Sequence, residues 1–384
     1  MRFPEFTEEW ESVLLEDVAE FQKKRISSDL LNNSNYISTE NILQNFGGVQ
    51  NSISIPANTN VIEYQKGDVL LSNIRPYLKK VWLSDRNGGC SADVFVLRGN
   101  QCERRFLYYV IASDRFINFV MSGAKGVKMP RGDKSQMEKF AFFIPTNVEQ
   151  KKIAMFLSML DERIATQNKI IEKYESLIQA ICDTLIEAEQ HKVELSFNDF
   201  GEPYSGLSGK SAEDFGEGCQ YITYMNVYQN QIIDTTDVGL VKINETEQQS
   251  VVRYGDILFT LSSETPNEVG MGAVYLGDTY PLYLNSFCFG VRIIDESKIF
   301  PPFLAYYIST KSFRKAVFPL AQGSTRFNLQ KSDFMKKMFL FPMVEKQNKI
   351  YTALKAYSDK LSIEKHIAKL LCEQKSFLLR QLFI

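Results

Sequence analysis

Residues able to make or break bonds are scarce in this chain. The stretch nearest to a catalytic motif is Gly206-Leu-Ser-Gly-Lys-Ser211. A Walker A loop reads Gly-x4-Gly-Lys-Ser/Thr between a strand and a helix, because backbone N–H groups must ring the phosphates while the lysine reaches them. Here Tyr204 stands where the first glycine belongs, and no clear strand is expected before it. Two readings remain: a flexible loop carrying Lys210 and Ser211 toward a phosphate, or an ordinary surface turn. The only histidines are His191 and His366, too few for His-based metal sites or a Ser-His-Asp triad. Six cysteines, at 90, 102, 182, 219, 288 and 372, form no Cys-x-x-Cys pair. That pattern argues for reduced thiols in a cytoplasm and against a zinc knuckle or disulfide frame. Neither an Asp/Asn-Pro-Pro-Tyr/Phe methyltransferase motif nor a Gly-x-Gly-x-x-Gly loop occurs. Catalysis by this chain, and a cofactor of its own, are not expected.

What remains are loops rich in donors and acceptors. Ser72-Asn73-Ile74-Arg75-Pro76-Tyr77-Leu78-Lys79-Lys80 follows an apolar run, and so does Thr260-Leu261-Ser262-Ser263-Glu264-Thr265-Pro266-Asn267. Two more are Gly123-Ala-Lys125-Gly-Val-Lys128-Met-Pro-Arg131 and Gln322-Gly-Ser324-Thr325-Arg326-Phe-Asn328, the latter followed by Lys331. Glycine lets backbone approach a ligand, Ser, Thr, Lys and Arg hold phosphates, and Arg or Asn can fork onto purine edges. The plain alternative for each is a polar turn.

The elements that carry these loops are written twice. Residues 106–187 align without a gap onto 303–384, and 19 of the 82 positions are identical, where chance gives roughly five. Upstream the correspondence continues with gaps: Tyr36-Ile37-Ser38 and Asn41-Ile42 answer Tyr221-Ile222-Thr223 and Asn226-Val227, and Gly67-Asp68-Val69-Leu70 answers Gly255-Asp256-Ile257-Leu258. The donor-rich loops therefore recur at equivalent places. Strands are expected at 69–71, 94–97, 141–144, 257–259, 289–294 and 338–341, and amphipathic helices at 104–121 and 302–318, an α+β domain in each copy. After Pro145 and Pro342 each copy runs into a helix. Ile153, Leu157, Leu160, Ile164, Gln167, Ile171, Tyr174, Ile178, Ile181 and Leu185 keep strict 4-3 spacing. Ile350, Leu354, Tyr357, Leu361, Glu364, Ala368, Leu371, Lys375, Leu378 and Leu382 repeat it. A 3.5-residue period is a coiled-coil seam, and roughly 40 residues of helix reach about 60 Å. The expected organisation is a first domain at 1–145, a spacer helix at 146–190, a second domain at 191–342 and a C-terminal spacer helix at 343–384. The helices should pair antiparallel with pseudo-two-fold symmetry, Gln167 and Glu364 meeting near the middle as polar seam residues that fix register.

The totals agree with a soluble two-domain protein. The chain has 384 residues, 44% hydrophobic and 23% charged, with no apolar run near the 18 residues of a membrane span. Its N-terminus is acidic and lacks the apolar run of a signal peptide. Net charge is −2, but residues 311–337 hold Lys311, Arg314, Lys315, Arg326, Lys331, Lys336 and Lys337 against Asp333, a local +6. Binding a polyanion requires a local basic surface, not a basic protein.

Taken in order, these residues resemble the specificity subunit of type I restriction–modification enzymes, over essentially the whole chain. The similar features are Gly67-Asp-x-Leu70 followed by Asn73-Ile-Arg-Pro-Tyr-Leu-Lys79, Gly206–Phe215, Gly255–Gly270, Gly323-Ser-Thr-Arg-Phe-Asn328, and Pro145-x3-Glu149-Gln150-x2-Ile153. In the second copy of the last motif Lys346 replaces the glutamate. The resemblance implies two target-recognition domains, each reading one half of a split asymmetric target in double-stranded DNA. It implies helices that fix the gap and dock two adenine-methylating modification subunits, with restriction subunits joining for cleavage. S-adenosylmethionine, ATP and magnesium would then belong to partners. The competing reading is a helical scaffold whose two domains bind proteins and never touch DNA.

Overall fold

The structure, a computed structural model, describes residues 2–126 and 128–383. Each globular half is organised around a turn in which glycine takes positive φ and the next residue is a buried aspartate. Gly67 (φ 89°) and Gly255 (φ 84°) lie in the left-handed region that side chains other than glycine's disfavour. The Asp68 carboxylate accepts from Gln65 N at 2.8 Å and from the Arg98 guanidinium at 2.8 and 2.7 Å. Asp256 does the same with Arg253 N at 2.9 Å and Arg292 at 3.2 and 2.8 Å. Both carboxylates are buried, and without the forked guanidinium each would be a costly isolated charge. The Gly-Asp pair is thus a clamp at the start of the strands Val69–Ser72 and Ile257–Thr260.

Those strands lie third in equivalent four-stranded antiparallel sheets. The first runs Ala19–Phe21, Val94–Gly99, Val69–Ser72, Val81–Leu83. The second runs Gly201–Ser205, Cys288–Ile293, Ile257–Thr260, Gly272–Val274. A two-stranded ladder also recurs, Glu11–Leu14 with Ala141–Ile144 and Lys192–Ser196 with Met338–Pro342. Even the short parallel pairing is repeated: Tyr36–Ile37 lies beside Gly89–Cys90, and Tyr221–Ile222 beside Tyr283–Leu284. The duplication seen in sequence is a duplication of topology.

The helices expected at 104–121 and 302–318 are each two helices. Arg104–Ile111 is followed by Asp114–Ser122, and Pro301–Tyr307 by Lys311–Val317. Ser113 and Thr310 make the break. Each hydroxyl donates to the carbonyl three residues back at 2.7 Å and accepts the N–H three residues on, an N-cap that starts a new helix. Apolar periodicity runs through such a corner undisturbed, which is why it reads as one helix.

The long helices are Asn147–Ala188, 42 residues, and Val344–Leu382, 39 residues. Gln150 and Gln347 lock their beginnings with the same two bonds. Each amide donates to the strand-ending proline carbonyl (Pro145 or Pro342) at 2.8 Å and accepts Glu103 N or Phe300 N at 2.8 Å. Beside them, buried Glu149 takes Arg2 at 2.9 Å through both oxygens. In the second half Lys346 pairs with Glu189 at 3.3 Å, so the substituted position is a charge-inverted pair and not a lost one.

The chain forms two compact units, Met1–Asn168 with His366–Ile384, and Lys169–Lys365. The division falls midway along both long helices. Within the first unit Lys375 meets Asp161 at 2.6 Å, while Leu382 and Phe383 share a cleft with Phe142 and Phe143. Within the second, Lys346 meets Glu189 and Lys365 meets Glu175 at 2.8 Å. As one number rises its partner's falls, so the helical segments are antiparallel in each unit. Their apolar faces join the domain cores, with Leu157 and Leu354 fully buried, each contributing about 1.5–3 kcal/mol. The seam is not perfectly regular. Tyr357 and Leu185 are exposed, at 40% and 37%, while Cys182 and Ile186 are buried. A straight helix drifts from a 3.5-residue repeat by about 20° per heptad, and the last turns of the central helix follow the domain core instead. Gln167 and Glu364 are both buried, and Glu364 takes Lys360 at 2.6 Å.

Candidate nucleic-acid interface

In each unit the two donor-rich loops come together by backbone pairing. In the first, Ile74 bridges Arg131 and Arg131 bridges Lys125, with Gly132 N donating to Asn73 O at 3.1 Å and Arg75 N to Pro130 O at 2.8 Å. In the second, Ser262 pairs with Asn328 and Asn328 with Gln322, and Leu329 N donates to Leu261 O at 2.8 Å. These are equivalent positions under the sequence alignment. At both hairpin tips a glycine with positive φ, Gly126 (97°) or Gly323 (128°), makes the turn.

The framework is the same, and the side chains on it differ. On the first, Arg75 and Lys79 both hold φ 52°, a left-handed conformation that costs a non-glycine residue of order 1–3 kcal/mol and persists where surrounding structure imposes it. The pairing of Arg75 N with Pro130 O does so here. Arg75 and Lys128 are exposed, and among the described residues their side chains have no ion-pair or hydrogen-bond partner. Lys125 and Arg131 are exposed and lie on Asp133 at 2.9 Å and Asp93 at 3.0 Å. Exposed pairs of this kind are worth about 0–1 kcal/mol, so a phosphate can replace the carboxylate. Asp133 also caps Gln136 N, and Lys125 beside it holds its carboxyl below the usual range. Lys79 is tied to Asp114 at 2.5 Å and Lys80 to Thr39 O at 2.7 Å. Ser72 is buried with its hydroxyl on Ile74 O at 3.0 Å, and Asn73 is half-buried behind the loop; these two shape the surface more than they present themselves on it. Val127, within the same loop, lies outside the described residues.

On the second framework Ser324, Thr325, Arg326 and Asn328 are all exposed. Thr265 is exposed and donates to Glu268 at 2.8 Å, as the buried Ser263 does at 3.3 Å. Half-buried Ser262 and exposed Asn267 lie on the same loop. Lys331 donates to Ser205 at 3.2 Å. Arg314, counted in the basic segment 311–337, turns inward and donates to the carbonyls of Asn267, Val269 and Gly270 at 2.7–2.8 Å. Burial lowers its pKa, and it holds the chain at 267–270, the end of that loop. Lys311, Lys315, Lys336 and Lys337 remain exposed.

Lys210 does not join either loop pair. Its amine sits on Glu247 at 2.5 Å with the side chain 4% exposed, so it is not presented to a phosphate. A strand, Gly201–Ser205, does precede this segment, contrary to expectation, but the chain then enters the three-residue 3₁₀ turn Ala212–Asp214 and not a helix. The phosphate-loop geometry is absent at this segment.

Beside the second loop pair opens a cleft of about 350 Å³. Tyr224 and Tyr228 stack along it with centroids 5.9 Å apart and planes at 17°. Glu264, Glu268, Phe287 and Arg326 also line it. Tyr224, Tyr228, Glu268 and Phe287 do not stand out in the sequence. The available signal is Tyr224-x3-Tyr228, one helical turn apart directly after the aligned Thr223, which caps the helix Tyr224–Gln229.

Comparison with known proteins agrees with this geometry. The profile of the family described as "Type I restriction modification DNA specificity domain" matches twice, at residues 7–176 and 207–372. The MjaVIII type I restriction enzyme specificity subunit of Methanocaldococcus jannaschii is 23% identical over 384 residues, covering 93% of this chain and 88% of the relative. A type I restriction–modification S subunit from M. genitalium has the same fold, with TM-score 0.55 and 18% identity over 98% of this chain and 96% of that one. A chain from a structure described as concerning complex assembly and conformational transition of the type I R-M system gives TM-score 0.54 and 17% identity, over 97% of each. With two matches of its profile spanning most of the chain, this protein belongs to the type I restriction–modification DNA specificity family.

Proposed function

We propose that this chain is the sequence-specificity subunit of a type I restriction–modification system, each of its two target-recognition domains reading one half of a bipartite, asymmetric target in double-stranded DNA. The observation that carries this is the recurrence of one loop-to-loop pairing in both domains with different exposed side chains on it: Arg75, Lys128 and Arg131 on one, Thr325, Arg326 and Asn328 on the other. Equal frameworks give two comparable footprints; unequal side chains give two different half-sites. The domains, placed at 1–145 and 191–342, are separated by the helical segments 146–190 and 343–384, whose length sets the gap between half-sites. Covalent linkage raises the effective concentration of the second domain once the first is bound.

The helices dock two modification subunits, and restriction subunits join the complete assembly. Adenine methylation and cleavage take place on those partners, which hold S-adenosylmethionine, ATP and magnesium; this chain is non-catalytic and works in the cytoplasm. Among the described residues no cluster of His, Cys, Asp or Glu suits a metal ion, and no helix is long and apolar enough to cross a membrane. Mapping methylated sites in host cells with and without the gene tests the assignment. A bipartite motif that loses its methylation with the gene supports it, and an unchanged methylome overturns it. Steep weakening of DNA binding by salt separates this reading from a protein-binding scaffold.

A further inference from the structure

Contact with phosphate calls for cations, yet Glu264 and Glu268 line the second-domain cleft together with Arg326. A carboxylate facing a polyanion is repelled unless a specific donor meets it. Glu268 is built to stay ionised and in place. The Thr265 hydroxyl donates to it at 2.8 Å and that of Ser263 at 3.3 Å. The Tyr228 hydroxyl adds the largest of the effects that hold its carboxyl below the usual range. A carboxylate has about four acceptor sites, so capacity remains for a donor arriving through the cleft. Tyr224, on which Tyr228 stacks, is itself pinned by donating to Ser262 O at 2.7 Å. Arg326 is exposed and, among the described residues, makes no ion pair despite the two carboxylates.

The first domain has no counterpart to this constellation. The aligned segments around Tyr36 and Tyr221 put Leu43 where Tyr228 stands. The two proline-led short turns, Pro76–Leu78 and Pro266–Glu268, put Leu78 where Glu268 stands. At these positions one domain therefore carries two leucines and the other a hydroxyl-held carboxylate.

We propose that Glu268 and Arg326 together read one G·C base pair in the half-target of the second domain, the carboxylate accepting from the cytosine N4 amine and the guanidinium donating to guanine O6 and N7. This rests on the DNA-reading assignment above. Major-groove chemistry selects the pair: cytosine offers a donor amine, guanine two acceptors, adenine an amine flanked by the N7 acceptor, and thymine an acceptor and a methyl group. A carboxylate is repelled by adenine N7 and finds no donor on thymine, whereas cytosine suits it.

The test uses the complete modification complex carrying Glu268→Gln, with the methylated motif mapped across a genome. Glutamine keeps the size and can still accept from both hydroxyls, and thermal melting checks the fold. Preference at one G·C position of one half-target should fall roughly 5- to 150-fold, with the other half and the gap unchanged. Tyr228→Phe, which removes only a hydroxyl, should relax the same position to a smaller extent. If both folded variants keep the motif at full stringency, or if the half-target of the second domain contains no G·C pair, the inference is overturned and DNA reading stands. If the unaltered chain directs no bipartite motif, both fall.

Discussion

Gln150→Ala probes whether the buried glutamine is what joins each domain to its long helix. Gln150 is 3% exposed, and its amide serves the Pro145 carbonyl and Glu103 N, both at 2.8 Å. Truncation leaves the carbonyl buried without a donor, at about 1–3 kcal/mol, and removes a part-buried N–H bond worth about 0.5–1.5 kcal/mol. The sum is about 1.5–4.5 kcal/mol, and with a urea slope of roughly 2 kcal/mol/M the midpoint should fall by about 0.8–2.2 M. The molecule supplies its own control. Gln347→Ala removes the equivalent two bonds in the second unit, and a longer one to Lys298 O at 3.4 Å, while both tryptophans, Trp10 and Trp82, lie in the first. Tryptophan fluorescence should therefore report the loss in Gln150→Ala and be little moved in Gln347→Ala, whereas far-ultraviolet circular dichroism should register both. A midpoint shift below about 0.3 M for Gln150→Ala would refute the clamp. Equal fluorescence shifts in the two variants would refute separate unfolding of the units.

Arg326→Ala should weaken binding to the specific target by about 1–3 kcal/mol if the guanidinium forks onto a guanine; a folded variant binding with full affinity in a titration removes this residue from the site. Exchanging residues 1–145 for the same region of a relative should change one half of the methylated motif, and a change in both halves would contradict one domain reading one half-site. Four residues inserted after Ile170 lengthen one helix by about 6 Å, so activity should vanish or the mapped gap should change with unchanged half-sites; an altered half-site with the old gap refutes the spacer role. Lys346→Glu should lower the melting temperature by facing Glu189 with a like charge, and adding Glu189→Lys should restore it. Failure of the double variant to recover would mean that the inverted pair has no structural role.

Much of the architecture was legible in the chain itself. A fixed offset of 197 over residues 106–187 pointed to two copies of one design, and 4-3 spacing over four turns and more pointed to a long apolar seam. Both signals are periodic, and periodicity survives averaging over neighbours. The helix breaks at Ser113 and Thr310 were hidden because a cap replaces a few hydrogen bonds without disturbing the apolar pattern around it. The cleft was hidden for another reason: Tyr228 and Glu268 are 40 residues apart, and nothing local relates them.

Residue type alone gave the expectation of little material for catalysis, and it showed that the donor-rich loops come in matching pairs. Tertiary structure decided which of those donors are free. Among the described residues Arg75, Lys128 and Arg326 are exposed and have no ion-pair partner, whereas Lys210 is held by Glu247 and Arg314 by three backbone carbonyls. A lysine or arginine looks the same in sequence whether solvated or used as a brace. The difference lies in which carboxylate or carbonyl the fold brings within about 3 Å, and that depends on chain segments far away in the sequence.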